Sequence, residues 1–354
     1  EGVEGKYYVW TKSEIVQVLG SNAEWLCEWF GVTEEGNWEE TNILHLHTDR
    51  KPFCVKHQLD PEVFKNDVNA ALSALLTQRE KRIRPGTDDK IISGWNAMLL
   101  TAFCRAYAAT GDEVFKSEAL ELFAFLKKQF FEGDAVYHVR VNAGKGIPAF
   151  ADDLAFWTEA CIHLQEITGD QDFLREALRI SVLMDRDYLL RSGYFSYSSL
   201  KQTDVLFPRP EFYDGAFPSA NAVMSQNMHY LSVVLADKDL EMRSAAMLSG
   251  VLKTLVRQPV SFSSWAIILM YKTNVTKEVV ISGEENKGVM VEVLRKFIPN
   301  RILITADRPQ ADFPILEGKK YEKQPYIYVC INNTCYEPFS DITVFDHRFG
   351  LLNN

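Results

Sequence analysis

No stretch of this 354-residue chain approaches the roughly 20 consecutive apolar residues that a membrane helix requires, the nearest being the short run SSWAIILMY at 263–271. Basic residues are also scarce. The 38 Lys and Arg stand against 48 Asp and Glu, giving a formal charge of −10 and a pI near 5.3. Phosphate backbones and anionic lipid surfaces need clustered cations, so neither nucleic acid nor membrane is expected as a partner. The one basic knot, REKRIR at 79–84, falls at the end of a predicted helix, where cations complement the helix dipole. No GxSxG, P-loop, HExxH or Gly-rich dinucleotide fingerprint occurs.

The six cysteines, Cys27, Cys54, Cys104, Cys161, Cys330 and Cys335, include no CxxC pair, which reads as a reducing, cytoplasmic compartment. Cys104 and Cys161 sit in apolar helical patterns and are expected to be buried. CINNTC at 330–335 is the only close pair; with no His or further Cys beside it, it carries little weight as a metal site or a disulfide. LHLH places His45 and His47 on one side of an extended segment, but no third ligand is in view. Neither a metal nor a cofactor is expected. The chain begins at Glu1 in EGVEGKYYVW without an initiator Met or apolar leader, and is expected to be a piece of something longer.

What the sequence does hold is helix. Hydrophobic periodicity with start and stop signals predicts helices over about 11–30, 60–83, 88–109, 113–130, 151–168, 171–190, 218–236, 238–256 and 261–273. Two of these boundaries share a word. AYAATGDEVF and LQEITGDQDF each place a Gly where one helix closes and an Asp where the next opens, and VVLADKDLEM is a degraded third copy. Such spacing marks a repeated helical hairpin. In each unit the first helix is apolar nearly all round and the second is amphipathic, as an inner row of buried helices inside an outer, half-exposed row would be. AVYHVRV and GYFSYSS read as short strands between units. After residue 275, EVVISG, KGVMVEVLRKFIP, RILITAD and YIYVCI read as a βαβ-type module. The expected domains are 1–275, helical, and 276–354, a small α/β module.

Three inner helices open on polar motifs: TDDKIISGWN, FADDLAFW and YDGAFPSANA. Aligning the repeats on their TGD ends sets Trp95 opposite Asp153 and brings in Asn221. Parallel inner helices in a ring would turn these starts toward one mouth. Carboxylates in pairs supply an acid and a base, and Asp89, Asp153 and Asp214 are the candidate catalytic set. Around them Asp88, Lys90, Trp95, Asn96, Asp152, Trp157, Tyr213, Ser219 and Asn221 offer the flat faces and short polar groups of a ligand pocket, and His229 offers a base near neutral pH. Each has a plainer reading beside it. Thr87, Asp88 and Asp152 serve equally as helix caps, Trp95 and Trp157 as core packing, and His163 and His229 as hydrogen-bonded core histidines.

The motifs EGKYYVWT, RPGTDDKIISGWNAMLL, ADDLAF and DGAFPSANAV resemble the C-terminal half of the thioredoxin-domain-containing YyaL-like, or spermatogenesis-associated protein 20, family. That resemblance implies an N-terminal thioredoxin-like domain, absent from this chain. It implies also an (α/α)6 toroid similar to N-acylglucosamine 2-epimerases and six-hairpin glycosidases, here with its first hairpins missing. Two functions are thereby in play. One is a toroid that binds a small-molecule carbohydrate or related metabolite, with sugar epimerase or glycosidase-like activity. The other is a non-catalytic scaffold supporting a thioredoxin-like domain in redox or protein quality control. An open ring would expose apolar helix faces, which points to self-association or docking to a thioredoxin-like domain.

Overall fold

The computed structural model describes residues 2–46, 48–140, 146–331 and 334–349, with side chains to residue 345. Two compact units result, 1–89 and 90–354. The expected boundary at 275/276 falls inside the second. Among the described residues no helix is long and apolar enough to cross a membrane.

In the first unit, Thr11 and Glu14 form a reciprocal capping box at the start of α1 (Lys12–Leu19). Gly20 then breaks the run expected to continue to residue 30, and the chain restarts as α2 (Ala23–Trp29). A short α3 (Arg50–His57), not expected from the sequence, precedes α4 (Pro61–Arg79). Pro61 opens α4 where its missing N–H costs nothing, and Asp60 accepts from the amides of Glu62 and Val63. Trp10, Ile15, Leu26, Trp29, Phe30, Phe53, Phe64 and Leu75 make the core of this unit.

The second unit is the array of helical hairpins that the repeats imply: α5 (Ser93–Thr110) with α6 (Glu113–Phe130), α7 (Ala151–Thr168) with α8 (Asp172–Tyr188), α9 (Ala220–Leu235) with α10 (Lys238–Arg257), then α11 (Ser263–Thr273). α5, α7, α9 and α11 pack side by side as the inner row, and α6, α8 and α10 each lie against their own inner partner. This is the plan of an (α/α) toroid. Gly111 and Gly169 close α5 and α7 at φ of 73° and 72°, a left-handed conformation that a Cβ would strain. In the third copy Ala236 takes that conformation at 52°.

Between the first two hairpins, β1 (Phe131–Glu132), β2 (Ala135–Arg140) and β3 (Gly146–Pro148) form an antiparallel sheet. GYFSYSS, expected as a strand, pairs only through isolated bridges. The C-terminal module is a four-stranded sheet in the order β5 (Arg301–Ala306), β4 (Lys277–Ser282), β6 (Tyr326–Ile331), β7 (Thr334–Cys335), with β4 and β5 parallel across α12 (Lys287–Leu294). A last helix, α13 (Ile342–Phe349), follows. Tyr230 of α9 donates to the Leu303 carbonyl at 2.5 Å and Gln171 to that of Thr305, so the sheet and helices share one core. Cys330 and Cys335, given little weight from the sequence, face each other across β6 and β7 and are joined by a disulfide. Cys27, Cys54, Cys104 and Cys161 are free and buried.

Candidate functional site

The start of α7 is densely bonded. Asp153 lies almost wholly buried, and its carboxylate receives four donors: the Ser93 hydroxyl at 2.9 Å, the Gly94 amide at 2.8 Å, His138 Nδ1 at 2.9 Å and the Phe150 amide at 2.8 Å. Through Phe150 it caps its own helix, and through Gly94 it caps α5. α5 begins at Ser93 rather than near Asp88, behind Ile92, which has no capping side chain. Thr87 and Asp88 therefore do not cap it. The hydrogen bond to Asp153 raises the pKa of His138, burial opposing it. Burial, and then the neighbouring Asp153 charge, raise Asp152 to about 6, while its Oδ1 accepts from the Asp153 amide.

The start of α9 is tied in the same manner. Asp214 accepts from the Ser219 amide at 2.9 Å and the Ser264 amide at 2.7 Å, linking α9 to α11. Ser219 caps α9 and donates to the Glu211 carbonyl. Asn221, buried, accepts from the Phe195 amide at 2.8 Å and donates to the carbonyls of Phe195 and Glu211. These three residues are brought together, and each bonds chiefly to backbone groups.

Beside them opens a cavity of about 750 Å³. Tyr194, Tyr197, Phe212, Tyr213 and Phe262 give its aromatic walls, and Arg209, Glu211 and Thr254 its polar groups. Phe212 and Phe262 meet Tyr194 and Tyr213 edge-on, at 4.7 and 5.1 Å between centroids, which fixes the ring planes. Tyr213 donates to Gln258 at 2.6 Å. Among the described residues the side chains of Arg209 and Glu211 make no hydrogen bond or ion pair, so both remain open to a ligand. Tyr197 joins this cavity to the carboxylates behind it: its ring stacks on Phe150 at 4.8 Å, and burial, with the charges of Asp152 and Asp153, keeps its hydroxyl protonated.

The other expected residues lie elsewhere. Asp88 and Asp89 are exposed at the end of the first unit, and Lys90 opens the second. Trp95 is 56% exposed on α5, and Asn96 donates to the Ile92 carbonyl of its own helix. Trp157 is core: it stacks on Phe123 at 5.0 Å and donates to Glu176 at 3.1 Å. His229, buried on α9, is held by Glu241 at 3.0 Å and Lys272 at 3.1 Å in a separate cavity of about 460 Å³. His45 is described and His47 is not; among the described residues no three His, Cys, Asp or Glu stand together as a metal site.

Sequence reasoning missed His138, Tyr197, Arg209 and Glu211. The segment RPEFYDG, rich in aromatic and charged residues yet without helical period, was the available sign of the last two.

No family model matches the chain. It is 26% identical to human spermatogenesis-associated protein 20 over 96% of its length and 48% of the relative's, and 23% identical to the Caenorhabditis elegans protein B0495.5 over 98% and 52%. The resemblance drawn from the motifs holds, and the chain spans about half the length of the curated relatives it matches. Among solved structures, the GH76 α-mannanase BT2949 of Bacteroides thetaiotaomicron superposes with a TM-score of 0.42 at 14% identity, covering 66% of this chain and 67% of that one. Cellobiose 2-epimerase from Bacillus thermoamylovorans gives 0.37 at 17%, covering 47% and 45%.

Proposed function

We propose that this chain binds a carbohydrate or related polyol in the aromatic cavity between the 194–197 segment, the 209–213 loop and α10. The observation that carries the reading is the pairing of aromatic walls with two uncommitted, oppositely charged side chains, Arg209 and Glu211. Flat apolar rings match the C–H faces of a sugar, and a few polar groups set its orientation. Asp153 and Asp214 hold helix starts in this reading and shape the cavity without touching the ligand.

Of the chemistries raised by the sequence, hydrolysis by two carboxylates finds only Glu211 on the cavity wall. Proton transfer has more support, since burial raises Asp152, behind Tyr197, to about 6. The test is calorimetric titration of mono- and disaccharides and amino sugars into the chain, Glu211→Gln and Asp153→Asn. Binding that is lost in Glu211→Gln and retained in whatever fraction of Asp153→Asn stays folded supports the reading. Absence of saturable binding by any of these sugars defeats it.

The second reading, a non-catalytic scaffold for a thioredoxin-like domain, draws on the commitment of Asp153, Asp214 and Asn221 to hydrogen bonds within the fold. It places the chain in the cytoplasm as a redox or quality-control partner. A pull-down of a separately expressed thioredoxin-like domain, with no sugar binding, is its signature.

A further inference from the structure

α7 is buried along nearly its whole length, and past its first turn it reaches the surface only through Glu159, His163 and Thr168. Glu159 and His163 lie one turn apart, beside Arg105 of α5. Arg105 and His163 border a groove of about 460 Å³ between α5, α7 and the 295–300 loop that leads from α12 into β5. A smaller cavity of about 80 Å³ continues it toward α9 and shares Arg105, His163, Tyr271 and Arg301.

Four basic side chains, Arg105, Arg295, Lys296 and Arg301, line this groove against the one carboxylate of Glu166. Arg105 binds Glu159 at 2.8 Å, and His163 Nδ1 binds Glu166 at 2.9 Å. Burial would raise the Glu166 carboxyl, but the hydrogen bond from His163 and the charges of His163, Arg301 and Arg105 outweigh it and keep Glu166 ionised. Arg301 faces both cavities, and among the described residues its side chain makes one hydrogen bond, to the Val293 carbonyl at 3.4 Å, and no ion pair. A guanidinium that faces a groove with most of its donors unused by the protein is placed to meet an anion. Arg295 and Lys296 add charge at the rim, and Tyr271, Ile298 and Pro299 give an apolar wall. The loop is pinned: Asn300 sits at a φ of 54°, donates to the Met270 carbonyl and accepts from the Lys277 amide at 2.9 Å.

We infer that this groove binds the phosphate group of a small organic molecule, Arg301 meeting it as a two-pronged donor and the apolar wall taking the organic part. The groove shares no residue with the aromatic cavity, so the two proposals stand or fall separately. Planar guanidinium matches phosphate or carboxylate oxygens bidentately, whereas an ammonium does not.

The experiment is calorimetric titration of inorganic phosphate, and in parallel malonate, into the wild-type chain, Arg301→Lys, Arg301→Gln and Arg243→Gln. Arg243 is paired with Asp185 outside the groove and serves as control. Saturable phosphate binding is expected in the wild type and the control, weakened by about tenfold in Arg301→Lys and lost in Arg301→Gln. Arg301→Lys keeps the charge beside Glu166 and so guards against a merely unfolded variant. Phosphate binding unchanged in Arg301→Lys, no phosphate binding at all, or malonate binding in its place would each overturn the inference.

Discussion

The carboxylate of Asp153 stands 2.8 Å from the backbone nitrogen of Gly94, so a side chain of α7 caps the neighbouring helix α5, 59 residues away in sequence. A Cβ on residue 94 would meet Asp153 Oδ1 at 2.7 Å and Asp153 Cα at 3.2 Å. Only glycine permits this approach.

Gly94→Ala should therefore destabilise the second unit by about 1–3 kcal/mol, through forced displacement of a buried and fully bonded carboxylate. Urea denaturation followed by circular dichroism measures it. A midpoint unchanged from wild type would show that α7 can retreat without loss.

Burial raises the Asp152 carboxyl from its ordinary 3.8 to about 6 in the folded chain. For a carboxyl raised on folding, the stabilisation is complete below the unfolded pKa and disappears as pH rises through the folded one. Ionised Asp152 thus costs stability above about pH 6, at most about 3 kcal/mol. Asp152→Asn is expected to stabilise the unit at pH 8 and to change little near pH 4. Chemical denaturation at the two pH values checks this, and a stabilisation equal at both would show that ionisation is not the cause.

Glu241 behaves oppositely. Hydrogen bonds from His229 and then Lys272 lower it to about 2, so its contribution is present above the unfolded value of 4.5 and is lost as pH falls toward 2. The side chain is 43% exposed, and water screens the pair. Glu241→Gln should cost about 1 kcal/mol at pH 7 and less at pH 3, read from denaturant midpoints.

The Cys330–Cys335 bridge is checked by thiol titration under denaturing conditions. Four reactive thiols are expected before reduction and six after it. Cys335→Ser should cost about 2 kcal/mol or less, since the closed loop is short. Six thiols without reductant would contradict the bridge.

How much of this could be read from the sequence follows the range of the forces involved. The hairpins were legible because Gly111, Gly169, Asp112 and Asp237 punctuate helices locally, and because α7 is apolar nearly all round. The start of α5 was not: TDD imitates a cap, while the true cap comes from Asp153 on another helix. α3 escaped because Pro52 and its charged residues hide an eight-residue helix of weak pattern. The aromatic cavity was half legible. Tyr213 stood beside a helix start and was found, but Tyr197, Arg209 and Glu211 come from irregular chain, where neither period nor spacing points inward.

α7 packs against α5, α8 and α9 and against strand β5, with nearly every side chain enclosed. No partial opening can expose its backbone without parting several neighbours at once. Its central amides should then exchange hydrogen with solvent only through global unfolding, so the slowest of them would report the stability of the whole second unit in the absence of any denaturant.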